Sequence, residues 1–317
     1  MAKLQSTEIV GVANRPATIC SNSVCMWFDT TNTKIVFSYC GYSGAGTWSA
    51  GGALITSRRS LAGAGSQNEG LAAGGYTNAN VSSTEEYNGT SWSAGGAMIT
   101  ARRELGVLGS QNVGLIGGGY TTTSVSCTEE YNGTSWSVGG VLITGRWILT
   151  GVGTQNEGLV AGGYINTVLS CTEEYNGTSW SVGGALATAR YGAAGGGSQN
   201  SNFMSGGNPG VANTNVTEEY NGTSWTSGGA LIVSRRLLVG SGTQNEGLAA
   251  GGFTNTNSFS TEEYNGTSWS VGGALATARY SLAGAGSQGS SLVAGGSFGR
   301  NCTEEYNKPL AIIDCIK

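Results

Sequence analysis

Between Arg58 and Trp92, short apolar runs alternate with polar turns. SLAGAGS is small and apolar, SQNEG is turn material, and GLAAGGY is a second small apolar run. TEEYN then leads into Asn88-Gly89, a strong hairpin signal. No period of 3.6 residues can be laid over these runs, whereas short strands can. The pattern predicts four strands, over 60–66, 70–76, 83–88 and 91–99, joined as an up-and-down meander.

The pattern then returns. TEEYNGTSW stands at 84–92, 128–136, 172–180, 217–225 and 261–269, and TEEYN at 303–307 is a last, shortened copy. Trp48, Trp92, Trp136, Trp180, Trp225 and Trp269 follow at steps of 44, 44, 44, 45 and 44 residues. A supersecondary unit copied head to tail at this period means a propeller, a solenoid or an array. A single such sheet cannot bury both faces. Stacking blades around an axis solves this, with the Ala, Gly and Ser strand crowding the axis and Tyr and Trp filling the wider outer wedge. One tryptophan burying about 200 Å² contributes roughly 5 kcal/mol as an upper bound.

The expectation is an all-β fold, a β-propeller of four-stranded antiparallel blades forming a single domain over 1–317, with six repeats of about 44 residues in 49–307. Residues 1–48 are about one blade long and carry the strand-like runs TEIVGV, CMWFDT, KIVFSYC and TWSAGG, which predicts seven blades. The rival is six blades with residues 1–40 as an arm. Residues 308–317, containing LAIIDC, are assigned a closing strand.

Composition narrows the chemistry. Glycine supplies 56 of 317 residues and proline only 3, so glycine marks turns and close backbone approaches rather than collagen or Pro-rich linkers. Charge is sparse at 11%, with 15 basic against 19 acidic residues, which points away from nucleic acid and polybasic membrane binding. There is no histidine, and the only aspartates are Asp29 and Asp314. That removes Ser-His-Asp and Cys-His catalysis and His-rich metal sites. The start, MAKLQSTEIVGVANRP, lacks the pattern of a secretory signal, and no segment has the apolar length of a membrane span. The expected place is therefore the cytosol, or an assembly built there. Of seven cysteines, Cys127, Cys171 and Cys302 share one repeat position with Ser83, Val216 and Ser260 and read as small buried side chains. Cys20, Cys25, Cys40 and Cys315 fall in the atypical ends, with no second close pair to make a zinc motif. No cofactor or metal is expected.

The paired carboxylates Glu85 and Glu86 and their copies look like an acid and a base, but neighbours on a strand point to opposite faces. Arg58, Arg102, Arg146, Arg190, Arg235 and Arg279 recur in step with them, predicting an Arg to Glu or Arg to backbone bond in every blade. Asn88-Gly89-Thr90 matches a glycosylation sequon, and a turn explains it sufficiently. Function should lie where the copies differ. The residue after each recurring arginine is Arg59, Arg103, Trp147, Tyr191, Arg236 or Tyr280, and the loops TNANVSS, TTTSVSC, INTVLSC, NPGVANTNV, TNTNSFS and FGRNC vary as freely. In a meander both sets emerge on one face. Those six side chains are the candidate binding residues, suited to sugar stacking or a protein interface, beside the plain reading that they are solvated loop positions.

The arginine, the small strand, the Gly-Gly doublet (Gly74 and Gly75, with its copies) and the spaced Tyr and Trp resemble the kelch repeat over about residues 45–307. That resemblance implies a β-propeller with one four-stranded blade per repeat. TEEYNGTSW with GGAL and SQNEG also resembles kelch-like repeats of virion and tail-associated proteins of marine bacteriophages, and of bacterial surface proteins. NGTSW is similar to the sialidase Asp-box hairpin in its Gly to Trp spacing, with Tyr87 where that motif requires Asp. Galactose oxidase, another kelch-type propeller, needs histidine copper ligands that are absent here. The implied function is a non-enzymatic structural and interaction protein, a virion component of a bacteriophage tail or appendage. Its expected partners are other virion proteins or itself in an oligomer, and host-surface glycan. The alternatives are a bacterial interaction or adhesion module, in the cytoplasm or at the cell surface, and a carbohydrate-active enzyme.

Overall fold

The structure, a computed structural model, describes residues 24–29, 34–42 and 44–314. They divide into two compact units, one over 46–307 and one made of the two chain ends. The larger unit is a ring of six four-stranded antiparallel blades. Blade one runs through Ala62–Gly65, Gly70–Ala73, Thr84–Tyr87 and Trp92–Ala94, from the axis outward. Blades two to five repeat this order, beginning at Gly106, Thr150, Ala194 and Val239. Blade six takes Ala283–Gly286, Ser290–Ala294 and Thr303–Asn307 from the end of the repeats, and its outer strand, Thr47–Gly51, from their beginning. The four strands expected per repeat are all present.

Seven blades were expected and six are formed. Among the described residues up to Trp48, only those from Thr47 join the ring, because Trp48 completes the Tyr–Trp pairing that the shortened sixth copy lacks, opposite Tyr306. Lys34–Tyr42 pairs instead with Val24–Asp29 on one side and Leu310–Asp314 on the other in a three-stranded sheet, neither a seventh blade nor an extended arm. The ring is closed by 47–51 rather than by the C-terminal residues, whose strand belongs to that other sheet.

At the axis the inner strands run backbone against backbone. A Cβ on Gly63 would lie 2.7 Å from the Cβ of Ala283, and one on Gly240 would lie 2.5 Å from the carbonyl oxygen of Gly195. Side chains there would hold the blades apart, which accounts for the glycines of the inner strands. Cores form between blades. Leu71 and Ala73 of blade one pack with Leu105, Ile116, Tyr131 and Trp136 of blade two, and equivalent clusters recur around the ring.

Each letter of the recurring motif then has a bond to make. Trp136 Nε1 donates to Thr84 Oγ1 of the preceding blade at 2.9 Å, and Tyr131 Oη donates to Glu86 Oε1 at 2.5 Å. Glu85, on the other side of the strand, accepts from the backbone N–H of Ile55 (2.7 Å) and Thr56 (3.2 Å) and pairs with Arg58 at 3.2 Å, both partners fully buried. The Arg–Glu pair recurs in all six blades. Asn88 Oδ1 accepts from Thr90 and Ser91 N–H groups while Gly89 turns with φ 87°, so the sequon is a hairpin turn. The Trp–Thr and Tyr–Glu bonds each occur six times, directed from one blade to the previous one, and make the ring a closed cycle of like joints.

Candidate functional site

The six candidate binding residues come together on one face. Each sits between an outer strand and the next inner strand, where its backbone pairs with the residue just after the Gly-Gly doublet: Arg59 with Tyr76, Arg103 with Tyr120, Trp147 with Tyr164, Tyr191 with Asn208 and Arg236 with Phe253. Tyr280 accepts from the Ser297 N–H at 2.8 Å in the same way. These second positions were not singled out from the sequence, although they vary as freely as the first; the signal was the single residue past each doublet.

The doublet itself is a backbone device. Gly74 and Gly75 have φ of 63° and 111°, and a Cβ on Gly74 would lie 2.6 Å from the Arg102 carbonyl oxygen of the next blade. Only glycine allows that approach, and it brings the Gly75 N–H within 2.9 Å of the same oxygen.

The two variable sets interleave as a belt. The Arg59 guanidinium lies over Tyr76 at 5.1 Å from its ring centre, and that of Arg103 lies between Tyr76 (4.8 Å) and Tyr120 (4.7 Å). Tyr120, Trp147, Tyr164 and Tyr191 continue as ring contacts of 5.1, 5.7 and 5.8 Å. Asn208 interrupts the run, after which Arg236, Phe253 and Tyr280 form a second, shorter arc. Asparagines of the adjoining loops set the arginines. Asn80 Oδ1 accepts from Arg103 Nη1 at 2.9 Å, and Asn213 Oδ1 accepts from Arg236 Nη1 at the same distance. The belt side chains are half-buried, so they hold one another and still present surface. Among the loops beside them, Phe259 and Phe298 are strongly exposed.

Inside the belt, the same connections close the axis with backbone alone. Ser60, Glu104, Ile148, Gly192, Leu237 and Ser281 all adopt positive φ, between 52° and 65°. The N–H of each donates to the carbonyl of its counterpart in the preceding blade, at 2.7 to 3.0 Å, until the cycle returns to Ser60. Among the described residues of the ring, Glu104 is the one carboxylate on this face. Burial pushes it above the ordinary carboxylate range, while Arg103, at 3.6 Å, Ser60 and Arg59 pull it back.

The opposite face is uniform. Gln111 Nε2 donates to the carbonyls of Gly70 (3.1 Å) and Tyr87 (2.7 Å) in the preceding blade, and Gln67, Gln155, Gln199, Gln244 and Gln288 do the same. A hollow of about 300 Å³ lies here between blades six and one, lined by turn residues such as Ser66, Asn68 and Ser287 with no titratable side chain among them.

The recurring carboxylates do not converge. Each pair is divided between the buried arginine and the neighbouring tyrosine, as described above. Cys127, Cys171 and Cys302 are half-buried rather than buried, and each lies against the guanidinium of Arg102, Arg146 or Arg279, whereas Arg190 bonds the backbone carbonyl of Val216 at the same position. Cys20 and Cys315 lie outside the described residues, and Cys25 and Cys40 are described in their backbone alone. Among the described residues no group of three or more Cys, Asp or Glu gathers in a way that could hold a metal.

No protein-family model matches the chain, and no curated protein matches it in sequence. The fold does have solved counterparts. The structure of a protein called YjhT superposes with a TM-score of 0.67 over 83% of this chain and 96% of that one. At 13% identity the likeness is one of fold. This chain is a six-bladed β-propeller.

Proposed function

We propose that this chain is a non-enzymatic binding module whose arginine and aromatic face recognises a ligand. The observation that carries the reading is the belt: the positions that differ between otherwise near-identical blades meet as two arcs of half-buried arginine and aromatic side chains, interrupted at Asn208. Large amphipathic side chains held rigid by one another are the groups that bind sugars and proteins at low entropic cost. The carboxylate pairs, by contrast, are engaged in joining blades.

The kelch-like wording of the repeats, with its resemblance to virion and tail-associated proteins of bacteriophages, supports a place in a virion tail or appendage. There the face contacts host-surface glycan or other virion proteins. The test is binding of the purified protein to a glycan array and to isolated particle proteins, wild type against Trp147→Ser/Tyr191→Ser. Loss of binding in the double variant with an unchanged melting curve is expected. Unchanged binding removes the face as the site, and an array without any hit, together with absence of the propeller from particles imaged by cryo-electron microscopy, removes the role.

A further inference from the structure

The charges of the ring are distributed unequally, and the inequality identifies a class of ligand. Within 46–307, six arginines are locked in buried pairs with six glutamates, and six more glutamates occupy the position that receives the neighbouring tyrosine hydroxyl. What remains is Arg59, Arg103, Arg236 and Arg300 against Glu104 on the variable face, and exposed Glu69, Glu157 and Glu246 on the other. One face is basic and its opposite is acidic.

The basic charge is concentrated at one seam. Arg300 lies in the loop of blade six that meets the entry to blade one, where the Arg58 N–H donates to the Arg300 carbonyl at 3.2 Å and the Leu54 N–H to that of Asn301 at 2.8 Å. Arg59 is the next residue, and Arg103 follows across Tyr76. These arginines are not equivalent. Arg103 is held by Asn80 and Glu104. Among the described residues Arg59 and Arg300 make no ion pair or side-chain hydrogen bond, Glu104 being only a nearby opposite charge to Arg59, and the Nε of Arg300 is buried without an acceptor. Beside them Phe298 is 75% exposed and held at φ 66°, a conformation that a phenylalanine rarely adopts.

Resting on the reading of this face as a binding site, we propose that the seam between blades six and one takes the acidic group of an anionic polysaccharide. Arg59 and Arg300 engage a uronate carboxylate or a sulfate ester, shared chemistry for a planar guanidinium donor. Phe298 and the arc from Tyr120 to Tyr191 take the apolar faces of the sugar rings. A nucleic acid fits less well, because the cations are confined to one sector and the other face is acidic, whereas a polyphosphate backbone calls for cations along its whole track.

The test uses the whole protein and paired probes: alginate, polygalacturonate, chondroitin sulfate and dextran sulfate, each with its carboxyl-reduced or desulfated form, and a thymidine oligonucleotide. Binding is measured by biolayer interferometry at low and high salt. At least one acidic probe should bind about tenfold or more tightly than its neutral partner and weaken several-fold as salt rises. Arg59→Gln/Arg300→Gln should remove most of that preference without lowering the melting temperature, and Arg59→Lys/Arg300→Lys should keep part of it. Trp147→Ser/Tyr191→Ser should weaken acidic and neutral forms alike. If acidic and neutral forms bind equally and only the aromatic variant loses binding, the face remains a binding site and the anionic assignment is overturned. If no probe binds, or neither variant matters, both readings fall. Tighter binding of the oligonucleotide than of every glycan also overturns the assignment.

Discussion

The two faces of the ring join the same blades by different means. On the uniform face the joint is a side chain: each Gln111-type amide reaches two carbonyls of the preceding blade, and glutamine holds the place in all six blades. On the variable face the joints that recur in every blade are backbone to backbone, through the cycle from Ser60 to Ser281 and through the Gly75-type N–H on the next arginine's carbonyl, with side chains such as Asn80 and Asn213 adding bonds only at some blades. A backbone bond does not depend on which side chain sits above it. One face is therefore locked in sequence by its own architecture, and the other is free to become an Arg, Trp and Tyr belt without loosening the ring.

Substitutions that remove side-chain joints break this contrast most severely. Glu129→Ala leaves the fully buried Arg102 without its carboxylate and strips the Ile99 and Thr100 N–H groups of their acceptor. It should cost about 3 to 5 kcal/mol in urea unfolding. Tyr131→Phe removes a hydroxyl bond to a carboxylate and should cost roughly 1.5 to 3 kcal/mol. Gln111→Ala, on the uniform face, should cost about 1 to 2 kcal/mol, since it leaves two carbonyls of blade one short of a donor. Arg59→Gln, on the variable face, should stay within about 0.5 kcal/mol because no joint uses its side chain. Equal losses for the last two would remove the distinction between the faces.

The tyrosine joints also sharpen it with pH. Burial, first, and the hydrogen bond to Glu86 push Tyr131 from 10.0 up to about 12, and Tyr264 beside Glu219 is raised likewise to about 12. A proton held more tightly by the folded chain stabilises it fully below pH 10, the unfolded value, and that contribution is lost as pH rises towards 12. Stability measured by urea titration should fall across this window, and Tyr131→Phe should show a shallower fall. An identical slope would mean that the tyrosine joints do not govern the alkaline limb.

Much of the scaffold was legible because its signals are local and repeated. Asn88-Gly89 demands a hairpin, and a tryptophan every 44 or 45 residues demands one blade per repeat. The Arg58 and Glu85 pairing was legible because both recur in step. The blade count was not. Residues 1–48 have strand-like runs, but whether a strand joins the ring depends on a free edge, and the only copy lacking its outer strand is the sixth, more than 250 residues away from Thr47 in sequence. The belt was half legible: the residue after each arginine stood out, whereas its partner after each Gly-Gly doublet did not, because nothing local links Tyr76 to Arg103 across a blade boundary. Glu104 was hidden for the same reason, as its neighbours Ser60 and Arg59 come from another repeat.

Sequence by itself determined the unit, its four strands and the bonds that any copy makes within itself, since hairpins, doublet glycines and buried ion pairs are set by residues a few tens of positions apart. Tertiary structure alone decided that six units close the circle, that Thr47–Gly51 supplies the missing edge, and that single varying residues from successive blades stack into one belt. Those outcomes depend on the angle at which one blade packs on the next. That angle is the sum of many small contacts at the glycine-lined axis and the Tyr–Trp wedge, and no individual position along the chain records it.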